Sequence, residues 1–246
     1  MTYCLSIHCN DGLVLCADSR TQAGFDQVAQ YSKMHRFVWP GNRFITLLSA
    51  GHLAVTQGVI KRINHDLQHN AAQHLLNLHS LYEIAEYVAV ISAITQKSMR
   101  KRDGKDKSFE ATFIVAGQIG LSAMETLLIY PQGNFISQSD YYPFLQIGET
   151  KYGKPILDRV IKADISLELA ARCGLVSMNS TMRSNKTVGP PIELLIYRKN
   201  DLKMSIYMSL TKNDALANQL ADAWHTGLTK TLEQLPKFPW EIQRVS

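Results

Sequence analysis

The sequence predicts an α+β protein in which two sheets pack together and helices cover their outer faces. Three observations carry this. The predicted elements run as strands, two helices, strands, two helices, strands and a last helix. Helix pairs between groups of strands fit neither the alternation of a parallel α/β sheet nor a segregated layout. The 246 residues, 46% of them hydrophobic, suit one domain with a substantial core. We expect a single domain over 1–246, ending in a helix and tail at about 214–246.

Two apolar runs, over 3–7 and 13–17, flank Asn10-Asp11-Gly12 and read as a hairpin. Asp-Gly tolerates the positive φ of a tight turn. The hairpin brings Thr2 close to Asp18. Residues 19–30 are polar, contain Gly24 and read as a loop. A third strand over 31–39 carries Lys33 and stops at Pro40-Gly41-Asn42, and a fourth covers 43–49. Gly51 and His52 open a helix in which Val55, Val59, Ile63 and Leu67 recur at helical spacing. A second helix starts at Ser80, with Glu83 completing a capping box. It lines Leu81, Ile84, Ala85, Val88, Ile91 and Thr95 along one side.

A charged loop over 100–110 leads to strands at 111–116, 124–131, 134–137 and 144–148. Helices follow at about 150–162 and 166–178, with Pro155 tolerable only in the first turn of the former. Residues 179–190 read as a loop, and 192–198 with 203–210 as a hairpin around Asn200-Asp201. From Asp214 a last helix places Leu216, Leu220, Trp224, Leu228 and Leu232 on one stripe. The tail Pro236-Lys237-Phe238-Pro239-Trp240 reads as non-helical, with aromatics that dock on another surface.

The chemistry centres on Thr2. Removal of Met1 gives this residue both a hydroxyl nucleophile and its own α-amine. A threonine hydroxyl needs a base within hydrogen-bond reach, and an α-amine with a pKa near ~8 can serve. A nearby lysine lowers that pKa, and a carboxylate holds the lysine in place. Thr2, Asp18 and Lys33 supply this set. A retained Met1 would lock the Thr2 nitrogen in a peptide bond and leave no base.

The segment Asp18-Ser19-Arg20-Thr21-Gln22-Ala23-Gly24, then Lys33, then Ser49-Ala50-Gly51, resembles the proteasome β-subunit pattern, in order and at nearly its spacing. The Thr directly after Met1, the C-terminal extension and the run Gly148-Glu149-Thr150-Lys151-Tyr152-Gly153 look most like the bacterial Anbu proteasome-like family. The resemblance implies a four-layer αββα sandwich, the N-terminal nucleophile hydrolase fold. It makes Thr2 nucleophile and base, with Lys33 tuning the amine and Asp18 pairing with Lys33. It places Gly51 at the oxyanion, and Thr21, Gln22 and Gly51 beside an extended peptide. Tyr31, Ser49 and Leu53 line the side-chain pocket.

Two supporting segments depart from the proteasome pattern. Glu149 and Thr150 stand where the family has Gly-Ser-Gly around the threonine amine. The loop from Arg183 to Gly189 lacks the family's aspartate, leaving Ser184 or Asn185 to replace it and Thr187 to replace its serine.

The remaining features exclude other classes. No apolar run is long enough to span a membrane, and no secretory signal is visible. The net charge of +5 is scattered, without the basic face and interleaved aromatics of a nucleic-acid site. Cys4, Cys9, Cys16 and Cys173 lack Cys-x-x-Cys spacing and read as reduced thiols of a cytoplasmic protein. No histidine spacing points to a metal, and no cofactor is expected. Three functions fit: a threonine hydrolase of peptide bonds, a self-assembling scaffold subunit with a weak or vestigial site, and a small-molecule amidase. The partners expected are further copies of the chain, in a ring-like or helical array, and a peptide or protein substrate.

Overall fold

The first hairpin sets the frame. A computed structural model describes residues 1–22, 28–103, 109–139 and 141–242. In it β1 (Tyr3–Cys9) and β2 (Gly12–Asp18) pair antiparallel, with Cys9 opposite Gly12. The turn is therefore Asn10-Asp11, not Asp-Gly. Gly12 is needed for a different reason: at φ +156° a Cβ there would lie 2.0 Å from the Tyr197 carbonyl oxygen.

The stretch expected to be a loop contains a small ribbon instead. β3 (Arg20–Gln22) pairs antiparallel with β4 (Val28–Gln30). It forms a separate two-stranded sheet, so no alternating apolar signal marked it. Ala23 and Gly24 lie outside the described residues.

Next come β5 (Met34–Trp39) and β6 (Arg43–Gly51), then α1 (Leu53–Gln68) and α2 (Leu81–Asp103). Gly51 thus ends a strand, and His52 is the N-cap of the helix. Ser80 Oγ accepts from Glu83 N at 3.1 Å, and Glu83 reaches back to His79 N at 2.8 Å. Three strands follow, β7 (Ala111–Ile119), β8 (Glu125–Ile129) and β9 (Phe135–Ser137). Then come β10 (Phe144–Gly148), α3 (Lys154–Val160), α4 (Leu167–Ser184), β11 (Ile192–Arg198) and β12 (Ile206–Leu210).

α4 runs to Ser184, past the expected end, through residues that favour loops. Their polarity is absorbed within the helix: buried Thr181 donates its hydroxyl to Ser177 O at 2.9 Å. The charged segment 104–108 lies outside the described residues.

The strands form two antiparallel sheets, ordered β10-β1-β2-β11-β12 and β5-β6-β7-β8-β9. Alternation along β6 assigns the faces. Ile45 and Leu47 join Val55, Val59, Ile84 and Val88 of α1 and α2 in one core. Phe44, Leu48 and Ala50 turn inward to Leu13, Leu15 and Leu195 of the other sheet. Phe44 stacks on Tyr197 across the sheets at 4.3 Å. α4 covers the outer face of β1 and β2, where Gly174 fits against Cys16 and Leu5. β1 and β2 are therefore covered on both faces and read as continuous apolar runs. This is the four-layer αββα sandwich.

That arrangement forms a compact unit over Met1–Lys212, and a second unit runs over Asn213–Ser246. It holds α5 (Ala215–Glu233) and α6 (Pro239–Ile242). Asp214 caps α5 by accepting from Ala217 N at 3.0 Å. α5 buries none of its residues, and Leu232 is 59% exposed. The tail contains one short helix after all, because Pro239 falls at its first position, where a missing N–H costs nothing. Phe238 and Trp240 stack on each other at 4.6 Å and stay exposed. No described helix is long and apolar enough to cross a membrane.

Candidate active site

The hairpin register puts Tyr3 one step beyond the Cys4–Ala17 pair, beside Asp18. Tyr3 N donates to Asp18 Oδ1 at 2.9 Å, which ties the residue after Thr2 to the end of β2. Lys33, just before β5, donates its Nζ to the same Oδ1 at 2.7 Å and to Arg20 O at 2.7 Å. Gly189 N donates to Asp18 Oδ2 at 3.2 Å. Asp18 is fully buried and Lys33 is 7% exposed, so this is a desolvated, charge-assisted pair. Burial pushes the Asp18 carboxyl up, against the pull of the Lys33 ammonium and both backbone donors.

Lys33 is itself held from two sides. Its carbonyl accepts from Ser49 N at 3.0 Å. Its neighbour Ser32 lies 2.8 Å from Glu193 Oε2, and Glu193 is buried and also accepts from Tyr207 Oη at 2.7 Å.

β10 positions Thr2 from the opposite side. Glu149 N donates to Thr2 O at 2.7 Å. Gly148 sits at φ +84°, where a Cβ would lie 2.0 Å from Thr2 O. Glu149 itself is buried, and its Oε2 accepts from Asn185 Nδ2 at 3.0 Å. Asn185 Oδ1 accepts in turn from Thr187 N at 3.0 Å and Thr187 Oγ1 at 2.6 Å. Three of the five residues expected to replace the family's supporting groups, Glu149, Asn185 and Thr187, therefore form one linked chain. Ser184 and Thr150 are not part of it: Ser184 is the exposed last residue of α4, and Thr150 offers its carbonyl to Lys154 N at 3.3 Å. The Met1 α-amine lies in this same field. Burial and Lys33 lower its pKa, and Asp18 and Glu149 pull it back up.

An open cleft of about 800 Å³ runs away from Thr2. Thr21, Tyr31, Lys33, Ser49, Gly51 and Leu53 all line it. Gln22 pairs with Val28 in the ribbon next to Thr21. Other lining residues were not singled out as site residues: His35, His52, Thr56, Gln57, Ile60 and Lys61. Two periodicities could have found them. His35 lies two positions after Lys33 at the strand period, and Thr56, Gln57, Ile60 and Lys61 share a helical face with Leu53. Among the described residues no group of His, Cys, Asp and Glu could hold a metal.

His35 is kept neutral by its setting. Burial, helped by the Arg36 charge, lowers it to about 4, and its Nε2 lies 3.4 Å from Ser49 Oγ. The folded-state pKa is depressed, so the linked stability is complete above ~6.5 and is lost as pH falls toward 4. The expected loss is about 3 kcal/mol across that window, from a 2.5-unit shift at ~1.36 kcal/mol each. Urea unfolding at pH 7.0 and 4.5 reads it, and His35→Asn should flatten the difference.

The Proteasome subunit family matches residues 2–197. A search of curated proteins finds no match. Among solved structures, the chain is 35% identical to Anbu (ancestral beta-subunit) from Yersinia bercovieri, with TM-score 0.89, covering 96% of this chain and 98% of that one. It is 40% identical to the subunit in a helical assembly of the Anbu complex from Pseudomonas aeruginosa, with TM-score 0.92 and coverage of 96% and 98%. An Anbu (Gly-1) mutant from Hyphomicrobium sp. strain MC1 is 39% identical, with TM-score 0.89 and coverage of 97% and 99%. The matched region contains the Thr2, Asp18 and Lys33 cluster, the whole β5–β9 sheet and all of the other sheet except β12 and the last residue of β11. With the sandwich, the length of the match and the level of identity in agreement, the chain belongs to the proteasome subunit family, among the Anbu proteins.

Proposed function

We propose that this protein is a threonine-type hydrolase that cleaves peptide or amide bonds through Thr2 once Met1 has been removed. The observation that carries the reading is the buried Lys33–Asp18 pair at 2.7 Å, tied through Tyr3 N to the residue after Thr2. Thr2 Oγ adds to the substrate carbonyl carbon, and its proton passes to the Thr2 α-amine. The oxyanion rests on backbone N–H at Gly51, where β6 meets α1. The C–N bond then breaks, the leaving amine takes the proton, and an ester to Thr2 Oγ remains. Water adds to that ester and gives its proton to the α-amine; the C–Oγ bond then breaks, Thr2 Oγ takes the proton back from the amine, and the acid leaves. No cofactor enters any step.

Lys33 disfavours protonation of the amine by like-charge repulsion, and Asp18 keeps Lys33 in place. Glu149, linked to Asn185 and Thr187, supplies the opposing charge that anchors the amine. Thr21, Gln22 and Gly51 bracket an extended peptide, and Tyr31, Ser49 and Leu53 receive a side chain.

The protein assembles with copies of itself in a ring-like or helical array in the cytoplasm. The exposed leucine face of α5 supports assembly, as does the helical assembly of the Pseudomonas aeruginosa relative. The same face favours a second reading, a scaffold subunit whose site turns over slowly or not at all.

Intact-mass spectrometry before and after an epoxyketone separates the two readings. The hydrolase loses Met1 and gains one inhibitor mass, located on Thr2. Thr2→Ala keeps its melting temperature, gains no mass and cleaves no peptide. An unmodified wild-type protein lacking Met1, or turnover by Thr2→Ala, overturns the mechanism.

A further inference from the structure

The cleft beside Thr2 carries a one-sided charge. Its described lining includes Arg20, Lys33 and Lys61, and no carboxylate. Lys33 is neutralised by Asp18, which lies buried beneath it. Among the described residues the other two cations have no such partner. Arg20 Nη1 donates to a backbone carbonyl, Lys186 O, at 2.7 Å, and its buried Nε has no partner among the described residues. Lys61 is exposed and forms no ion pair among the described residues. It lies eight residues along α1 from Leu53, about 12 Å at the helical rise. Two further buried polar atoms on lining residues, His52 Nδ1 and Thr21 Oγ1, have no partner among the described residues.

A purely apolar side chain would leave these groups desolvated and unpaired, which is unfavourable for each buried polar atom. A basic one would meet Arg20 and Lys61. A carboxylate supplies acceptors and the complementary charge, and a concave cleft lined by one sign concentrates such ligands. We infer that the substrates are acidic peptides, with Asp or Glu beside the bond that Thr2 attacks. The inference names the substrate class of the proposed hydrolase and rests on that reading.

The test uses the Met1-processed full-length protein and three fluorogenic peptides that differ only in Glu, Gln or Lys before the scissile bond. We expect kcat/KM to fall about tenfold from Glu to Gln and further to Lys at low salt, with the gap narrowing as salt rises. Lys61→Gln should halve the Glu preference or more, and Lys61→Glu should reverse it.

Binding of the same peptides to Thr2→Ala, followed by fluorescence anisotropy, keeps this inference separate from the hydrolase reading. Tighter binding of the Glu peptide with no cleavage by the wild type upholds the acidic preference and counts against hydrolysis. Cleavage or binding that ignores charge, or favours Lys, overturns the acidic preference and leaves hydrolysis standing.

Discussion

Lys33→Met is expected to abolish turnover and to destabilise the fold by about 3–5 kcal/mol, the range for breaking a buried ion pair from one side. Asp18 is fully buried, and among the described residues its only charged donor is Lys33. Without the ammonium, two backbone N–H groups remain to satisfy a buried anion. Its carboxyl, already pushed up by burial, rises further. The sign of the pH dependence then distinguishes this cause from lost packing. A carboxyl with a raised folded-state pKa adds stability below its unfolded pKa of ~3.9, and that stability is lost as pH rises through the folded value. Lys33→Met should therefore recover stability on acidification relative to Lys33→Met/Asp18→Asn. At pH 7 the double variant, with no buried charge left, should regain at least half of the lost stability but no activity. Urea unfolding of wild type, Lys33→Met, Asp18→Asn and the double variant gives the coupling directly. A Lys33→Met protein as stable as wild type would show that the pair has no structural role.

The parts of this fold that were legible in the sequence are those where one physical signal acts alone. Val55, Val59 and Ile63 face a single core and recur at the helical period, so α1 could be read directly. Ser80 and Glu83 announced the start of α2 because capping is a local interaction. The ribbon of β3 and β4 was hidden because it pairs outside both main sheets, where nothing demands apolar alternation. The end of α4 was hidden because its polar residues satisfy themselves within the helix, as Thr181 does.

The candidate site divides in the same way. Thr2, Asp18 and Lys33 come together because a hairpin and the next strand bring them there, and both were predictable. Glu149, Asn185 and Thr187 could be named only by analogy with the family, since the link between β10 and the end of α4 is set by tertiary packing. His35 carries only the strand period it shares with Lys33, and His52 carries no mark of a site residue. Their place in the cleft follows from how β5, β6 and α1 converge.

Gly148→Ala should be strongly damaging for a single-methyl change, for reasons that a matched control can separate. At φ +84° any L-residue is strained, and strain of this kind costs about 1 kcal/mol or more. The added Cβ would also lie 2.0 Å from Thr2 O and 2.7 Å from its carbonyl carbon, and both are backbone atoms that cannot rotate away. β1 and β10 must part at this point. That also strains the bond from Glu149 N to Thr2 O, which fixes where Thr2 sits. Gly41→Ala shares the strain, at φ +74°, but has nothing within 4 Å of the new methyl. The control should lose about 1 kcal/mol and keep its rate. Gly148→Ala should lose several kcal/mol and at least 100-fold in kcat/KM, because a displacement of about 1 Å at a reacting group costs that much. Measured side by side by urea unfolding and peptide turnover, equal losses in the two variants would mean that backbone conformation alone governs both sites. A greater loss at Gly148 assigns the difference to the contact that seats Thr2.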